Sequence, residues 1–149
     1  MKILGIGNAI VDVIWKVDES FITDNGLTKS TMKLIFDENK FKKLLSNLKI
    51  EKTVSGGSVA NSIVGLSQLG DKVGFIGKVN DDNLGIKYEE GLKKENVEYF
   101  YSKKKEELPT RTCLILITPD SERTMCTFLG TAGKINENDV DVNAVKILK

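Results

Sequence analysis

The residues best suited to bind a ligand lie in one short stretch, Ser55-Gly56-Gly57-Ser58-Val59-Ala60-Asn61-Ser62. Glycines lack a Cβ and let the backbone approach a ligand, while a helix capped by Ser58 presents unpaired N–H groups. Asn61, in the first turn of that helix, offers both a donor and an acceptor to a hydroxyl-bearing ligand. The stretch therefore predicts a small-molecule pocket at the end of an α/β sheet. A glycine turn followed by an ordinary serine cap remains the alternative.

Composition excludes several other classes of function. The chain has 149 residues, enough for one domain with a core, and a net charge of +1, which favours neither nucleic acid nor an anionic membrane. Histidine is absent, which excludes Ser-His or Cys-His catalysis and the usual metal sites. Cys113 and Cys126 lie in apolar runs and are interpreted as buried thiols of a reducing compartment. With no signal-peptide pattern and no run long enough to cross a bilayer, the sequence predicts a cytoplasmic protein.

The first strand carries an incomplete dinucleotide fingerprint. Lys2 to Gly7 is apolar on both faces, as in a central parallel strand. Gly5 and Gly7 begin a G-x-G-x-x-G pattern, but Ile10 stands where the third glycine is needed. The sequence therefore argues against a Rossmann cofactor site.

Two half-polar strands follow and do not fit inside a buried parallel sheet. From Val11 to Val17, an apolar row (Val11, Val13, Trp15 and Val17) alternates with Asp12, Ile14 and Lys16. The second such strand is predicted from Thr31 to Phe36, after a polar stretch that turns at Asn25-Gly26. These strands predict a small separate β layer, a candidate lid, with Asp12 directed toward solvent or a cleft.

The rest of the chain alternates between helices and strands, which predicts a parallel α/β sheet. Helices are expected from Asp37 to Leu48, from Ser58 to Leu69 before Gly70, after Asn80-Asp81-Asp82, and from Asn136 or Asn138 with Val140, Ala144 and Leu148 on one face. Strands are expected at Ile50–Val54, Val73–Val79, Val97–Tyr101, Arg111–Thr118 and Thr124–Leu129, the last two joined by the turn Pro119-Asp120-Ser121-Glu122.

Four segments in order resemble the N-terminal half of a ribokinase/PfkB-family carbohydrate kinase. They are Gly5-Ile6-Gly7-Asn8-Ala9-Ile10-Val11-Asp12, Gly56-Gly57-Ser58-Val59-Ala60-Asn61, Gly77-Lys78-Val79-Asn80-Asp81-Asp82-Asn83-Leu84-Gly85, and Thr110-Arg111-Thr112 with Thr118-Pro119-Asp120-Ser121-Glu122-Arg123-Thr124. The spacing of Asn8 to Asp12 and of Ser58 to Asn61-Ser62 is most similar to the adenosine-kinase-like branch. Two positions depart from the family pattern, since Asn80 and Arg111 stand where glycine is common. Asparagine tolerates a positive φ, so the first departure is expected to be silent, whereas Arg111 is expected to alter which substrate fits.

The resemblance implies an α/β, ribokinase-like parallel-sheet core flanked by helices, with a small β-sheet lid formed by residues 11–17, 31–36 and parts of 97–118. It implies that Asp12 and Asn61 bind neighbouring sugar hydroxyls, with Asn8 and the backbone of Gly56 and Gly57 beside them. The family's ATP and Mg²⁺ residues, its G-A-G-D anion hole and its catalytic Asp belong to a second half that has no counterpart in residues 1–149. The chain alone is therefore expected to be inactive.

Three functions compete at this point. The first is ATP-dependent phosphorylation of a sugar or nucleoside hydroxyl, with this chain as the substrate-binding half. The second is a non-catalytic, substrate-binding or oligomerising remnant, and the third is an unrelated nucleotide-binding domain, which lacks a complete phosphate-loop fingerprint. The resemblance implies that the lid can form a homodimer surface, for which the Val11, Val13, Trp15 and Val17 row is suited. A nucleoside would need an apolar slot, which Phe100 or Phe128 could form unless they are core residues.

Overall fold

The computed structural model describes residues 3–48 and 52–146. The chain divides into two compact units, the first built from Met1–Val11, Val54–Arg111 and Gly130–Lys149 and the second from Asp12–Thr53 and Thr112–Leu129. The elements in chain order are β1 (Ile3–Ile6), β2 (Ile10–Lys16), α1 (Glu19–Asp24), β3 (Met32–Leu34), α2 (Glu38–Ser46), β4 (Lys52–Gly56), α3 (Ser58–Gln68), β5 (Val73–Ile76), α4 (Asn83–Lys94), β6 (Glu98–Tyr99), β7 (Thr112–Ile117), β8 (Arg123–Phe128), two 3₁₀ turns (Thr131–Lys134 and Glu137–Asp139) and α5 (Val142–Lys146).

The first unit contains a parallel sheet in the order β1-β5-β6. All four residues of β5 are buried, as the doubly apolar sequence predicts for a central strand. Helix α3 packs on β1 so closely that a Cβ at Gly5 would lie 2.6 Å from Ile63 Cγ1. Tyr88 of α4, which is fully buried, stands edge-on to Tyr99 of β6. The predicted parallel α/β core is therefore confirmed.

The second unit is organised on a five-stranded sheet in the order β3-β8-β7-β2-β4. Strands β7 and β8 form the predicted antiparallel hairpin, and β3 adds to β8 in parallel. Phe41 of α2 stacks on Phe128 of β8 with ring centroids 5.4 Å apart, so Phe128 is a core residue and not a nucleoside slot. Asp37 caps α2 as predicted, since its carboxylate accepts the backbone N–H groups of Asn39 and Lys40.

The two faces of this sheet differ in exposure. The paired residues Thr112 and Phe128, Leu114 and Cys126, and Leu116 and Thr124 are all buried and form the inner face. The alternate positions Cys113, Ile115, Ile117 and Met125 are half-buried, and they form the outer face. Met32, Leu34 and Phe36 are 61%, 42% and 78% exposed, so the edge of this unit carries an apolar surface.

Several sequence-based expectations are wrong in detail. Val11, Val13 and Val17 are buried, so three of the four residues in the apolar row of β2 belong to the core and are not available as a dimer surface. The polar stretch after Asp18 contains helix α1, a short helix that buries only Ile22. The last helix is broken, because Asn136 caps the 3₁₀ turn Glu137–Asp139 and α5 begins only at Val142. Lys2, Ile50 and Leu148 lie outside the described residues.

Among residues 3–48 and 52–146, no helix has the length and apolar character needed to cross a bilayer.

Candidate functional site

The turn that enters α3 brings three of the predicted site residues together in the first unit. Gly57, and not Ser58, is the N-cap of the helix, with φ 109° and ψ 134°. This backbone conformation strongly disfavours any residue with a Cβ, which explains why glycine occupies the cap position. A Cβ at Gly57 would also lie 2.4 Å from the carbonyl oxygen of Asn8. The loop after β1 and the start of α3 are therefore in direct backbone contact.

Two amide side chains flank this contact. Asn61 donates its backbone N–H to the Gly57 carbonyl at 2.8 Å, which places it one helical turn beyond the cap. Its side chain and that of Asn8 are both exposed, and neither makes a hydrogen bond with another described residue. Each amide has free donors and acceptors, so together they can bind a ligand rich in hydroxyl groups.

Hydrogen bonds join helix α4 to the glycine turn before α3. The Tyr88 hydroxyl donates to the Gly56 carbonyl at 3.3 Å, and Ser55 Oγ donates to the Tyr88 carbonyl at 2.9 Å. Gly56 is buried, so its contribution to a ligand site is limited to the shape of the turn. The buried tyrosine thereby fixes the position of the cap before any ligand arrives.

Asp12 belongs to the second unit, where it alternates with the buried Val11 and Val13 on β2. Its side chain is half-buried and makes no ion pair or hydrogen bond among the described residues. Burial raises the pKa of its carboxyl above 3.8. A carboxylate that pays a desolvation cost without a partner is typical of a residue kept for a ligand.

Asn80 has a structural role that the sequence did not indicate. It has no positive φ; instead its Nδ2 donates to the carbonyls of Glu106 and Leu108 at 3.4 and 3.1 Å. Its Oδ1 accepts the Glu106 N–H at 2.9 Å. The departure from glycine is therefore not silent, because this side chain anchors the loop that leads to β7.

A buried ion cluster lies beside the same loop. Lys78 Nζ donates to Asp139 Oδ2 at 2.9 Å and lies 3.3 Å from Glu106 Oε1. Burial alone would raise the pKa of Asp139, but hydrogen bonds from Lys78, the Asn136 N–H and Lys104 outweigh it, and the pKa is lowered. Every charge in this cluster has a partner, so it is interpreted as structural.

Arg111, the second departure from glycine, lies at the end of the first unit. Its Nε is buried without a hydrogen-bond partner. Its carbonyl oxygen accepts the backbone N–H of Val11 at 2.9 Å, three residues beyond Asn8.

Two surface grooves lie apart from these residues. One, of about 590 Å³, lies in the second unit near Trp15, Phe21 and Pro119. The other, of about 520 Å³, lies in the first unit along β6 and includes the half-buried Phe100. Neither groove is lined by any of the five predicted site residues.

The arrangement of sheet, helices and glycine turn has close counterparts among solved structures. Adenosine kinase from Sinorhizobium meliloti superimposes with a TM-score of 0.79 and 35% identity, covering 97% of this chain and 44% of that one. A probable sugar kinase from Rhizobium etli gives the same TM-score at 34% identity, and the match covers 97% of this chain and 43% of that one. A 5-dehydro-2-deoxygluconokinase from Clostridium beijerinckii is 33% identical over 120 residues, which are 76% of this chain and 34% of that protein. The fold is thus one that the chain shares with solved adenosine and sugar kinases.

The sequence model described as pfkB family carbohydrate kinase matches residues 25–149. The chain belongs to the pfkB family of carbohydrate kinases. It spans less than half the length of each of these three relatives. Asn8 and Asp12 precede the matched segment.

Proposed function

We propose that this chain supplies the substrate-binding part of a kinase that transfers phosphate from ATP to a sugar or nucleoside hydroxyl. The observation that carries the proposal is the pair of unpartnered amides, Asn8 and Asn61, on either side of the contact at Gly57 in a pfkB-family chain. Relatives with names that denote sugar and nucleoside kinases support this substrate range.

We assign to Asn61, in the first unit, a hydrogen bond with a substrate hydroxyl, and to Asp12, in the second unit, the acceptance of a hydrogen bond from a hydroxyl. An ionised carboxylate can only accept hydrogen bonds, so Asp12 would orient a substrate hydroxyl by accepting a hydrogen bond from it. Asn8 and the Gly57 backbone would contact the rest of the substrate, while the buried Gly56, expected from the sequence to take part, would only shape the turn. Alignment of the accepting hydroxyl is one of the requirements of phosphoryl transfer.

The second unit is assigned the role of a lid. Exclusion of water matters for a kinase, because water competes with the substrate as phosphoryl acceptor. The exposed side chains of Met32, Leu34 and Phe36 give this unit an apolar surface that fits either a lid or a homodimer contact.

Residues for ATP and Mg²⁺ are expected outside this chain. Within the parts of the chain that the structure describes, no group of three or more carboxylate or thiolate side chains could hold a metal ion. The role proposed for these residues is substrate binding. Residues 1–149 incubated with ATP and adenosine, ribose or fructose should release no ADP, and ADP release that depends on one of these substrates would contradict this assignment.

The second candidate is a non-catalytic protein that binds the substrate or associates with itself. The exposed apolar side chains of Met32, Leu34 and Phe36 are the observation that favours self-association. The two candidates predict the same ligand site and differ only in turnover.

Calorimetric titration tests the ligand site that both candidates share. Adenosine, D-fructose and D-gluconate would be titrated into the chain and into Asn61→Ala, with Gln68→Ala at the other end of α3 as the control. Asn61→Ala should weaken binding about tenfold, since it removes a hydrogen-bonding side chain from the ligand. Gln68 bonds Glu95 on the surface and its variant should bind normally. Equal affinities for both variants and the parent chain would remove Asn61 from the site.

A further inference from the structure

Arg111 carries a charge that the structure leaves without a counterion. The side chain is half-buried, its Nε is fully enclosed, and its guanidinium forms no hydrogen bond or ion pair with any residue in 3–48 or 52–146. By contrast, the buried Lys78 is paired with both Asp139 and Glu106. The enclosed Nε–H is a buried donor without an acceptor, which costs free energy, whereas the two Nη groups are not enclosed and are open to a ligand.

The backbone on both sides of Arg111 is held rigidly. Before it, the Thr110 N–H donates to Asp82 Oδ2 at 2.9 Å and the Thr110 hydroxyl donates to Asp82 Oδ1 at 2.7 Å. Both oxygens of the Asp82 carboxylate are therefore already hydrogen-bonded. After it, the chain turns back so closely that a Cβ at Gly130 would lie 2.7 Å from the Arg111 nitrogen. A fixed backbone reduces the conformational entropy that the side chain loses when it binds an anion.

The backbone of Arg111 lies near the proposed substrate site. Its carbonyl bonds the Val11 N–H, and three extended residues span at most about 11 Å, so Asn8 is within that distance of Val11. Asn8 contacts the Gly57 turn directly. The backbone of Arg111 is therefore in the same region of the first unit as the two unpartnered amides.

We infer that Arg111 binds the carboxylate of the substrate, and that the substrate is a sugar acid instead of a neutral sugar or nucleoside. Guanidinium and carboxylate form two parallel hydrogen bonds, and the two Nη groups of Arg111 are available for such a pair. The similarity to a 5-dehydro-2-deoxygluconokinase, a name that denotes a sugar-acid kinase, agrees with this assignment. The inference rests on the proposed function, because it concerns the ligand of the same site.

Two polyols that differ only at one end test the inference. D-Gluconate and D-glucitol have the same carbon chain and hydroxyls, but glucitol carries a neutral hydroxymethyl group in place of the carboxylate. The chain should bind gluconate at least about tenfold more tightly than glucitol. Arg111→Gln should remove this preference, and Arg111→Lys should retain part of it. Arg123→Gln, which changes the one other arginine of the sequence, is the matched control and should bind like the parent chain.

The arginine side chains also provide a direct signal. With only two arginines, the ¹H–¹⁵N spectrum contains two Nε–H resonances, and Arg123→Gln assigns them. Gluconate should shift the Arg111 resonance and leave that of Arg123 unchanged. Arg111→Gln should not lower the free energy of unfolding, since no partner within the described chain is lost. If the role of Arg111 were purely structural, the same substitution would lower the free energy of unfolding and leave gluconate binding unchanged.

The outcomes separate this inference from the function on which it rests. Equal affinity for gluconate and glucitol, or binding of adenosine alone, would overturn the sugar-acid assignment and leave the substrate-binding function standing. Inorganic phosphate that shifts the Arg111 resonance when gluconate does not would also overturn it, in favour of a phosphorylated ligand. If adenosine, D-fructose, glucitol and gluconate all fail to bind, both the inference and the proposed function are wrong.

Discussion

The contact between Gly57 and Asn8 gives the sharpest stability prediction, which is the effect of Gly57→Ala. Alanine at φ 109° is strained, and its Cβ would meet the Asn8 carbonyl oxygen at 2.4 Å, so backbone must move. Left-handed backbone strain costs about 1–2 kcal/mol. Forcing an extra carbon into a packed position adds about 1–3 kcal/mol. We therefore expect Gly57→Ala to lower the free energy of unfolding by about 2–5 kcal/mol.

Gly70→Ala is the matched control for this prediction. Gly70 follows α3 at φ 95°, but nothing lies within 4 Å of a Cβ there. This variant should show the strain alone, about 1–2 kcal/mol. Both variants would be unfolded in urea with tryptophan fluorescence and circular dichroism as readouts. Equal losses for the two variants would refute the close approach of Asn8 to the helix cap.

Three further predictions concern charged and polar side chains. Asn80→Gly should lower the free energy of unfolding by about 1–3 kcal/mol in urea titration, since the Glu106 N–H and two carbonyls lose their partner; an unchanged midpoint would contradict the anchoring role. Asp139→Asn should cost roughly 3 kcal/mol at pH 7, because Lys78 loses a buried counterion. The pKa of Asp139 is lowered in the folded state, so this stabilisation is present above pH 3.8 and is lost as the pH falls through the folded pKa. A difference in the free energy of unfolding between variant and parent that persists below that pKa would refute the pairing. Asp12→Asn should leave stability at pH 7 unchanged or higher, because a raised carboxyl pKa means that stability is lost as pH rises through it; marked destabilisation would show that Asp12 has a structural partner.

The regular elements could be predicted because local sequence determines them. The apolar spacing of α2, the cap at Asp37 and the turn between β7 and β8 each follow from residues close together in the chain. The glycine turn was also predicted, although its cap is Gly57 and not Ser58. A serine cap needs its side chain to accept a helix N–H, whereas here the unusual φ of Gly57 ends the preceding strand and starts the helix directly.

The remaining features depend on contacts between distant residues. Whether the Val13 face of β2 is core or surface depends on which side of the sheet is covered, and alternation alone does not indicate the side. The bonds of Asn80 to residues 106 and 108 and the unpaired charge of Arg111 likewise require the fold. The departure of both residues from the family glycine was visible in the sequence and was the signal that could have identified them.

Mapping of the ligand on the chain tests the central claim most directly. The chain would be saturated with whichever of adenosine, D-fructose or D-gluconate binds most tightly, and ¹H–¹⁵N chemical shifts would be followed residue by residue. The account predicts the largest changes at the backbone amides of Gly57 and Asn61 and at the side-chain amides of Asn8 and Asn61. Changes confined to the groove near Trp15 and Pro119, or spread over the surface without a maximum at the α3 cap, would contradict it.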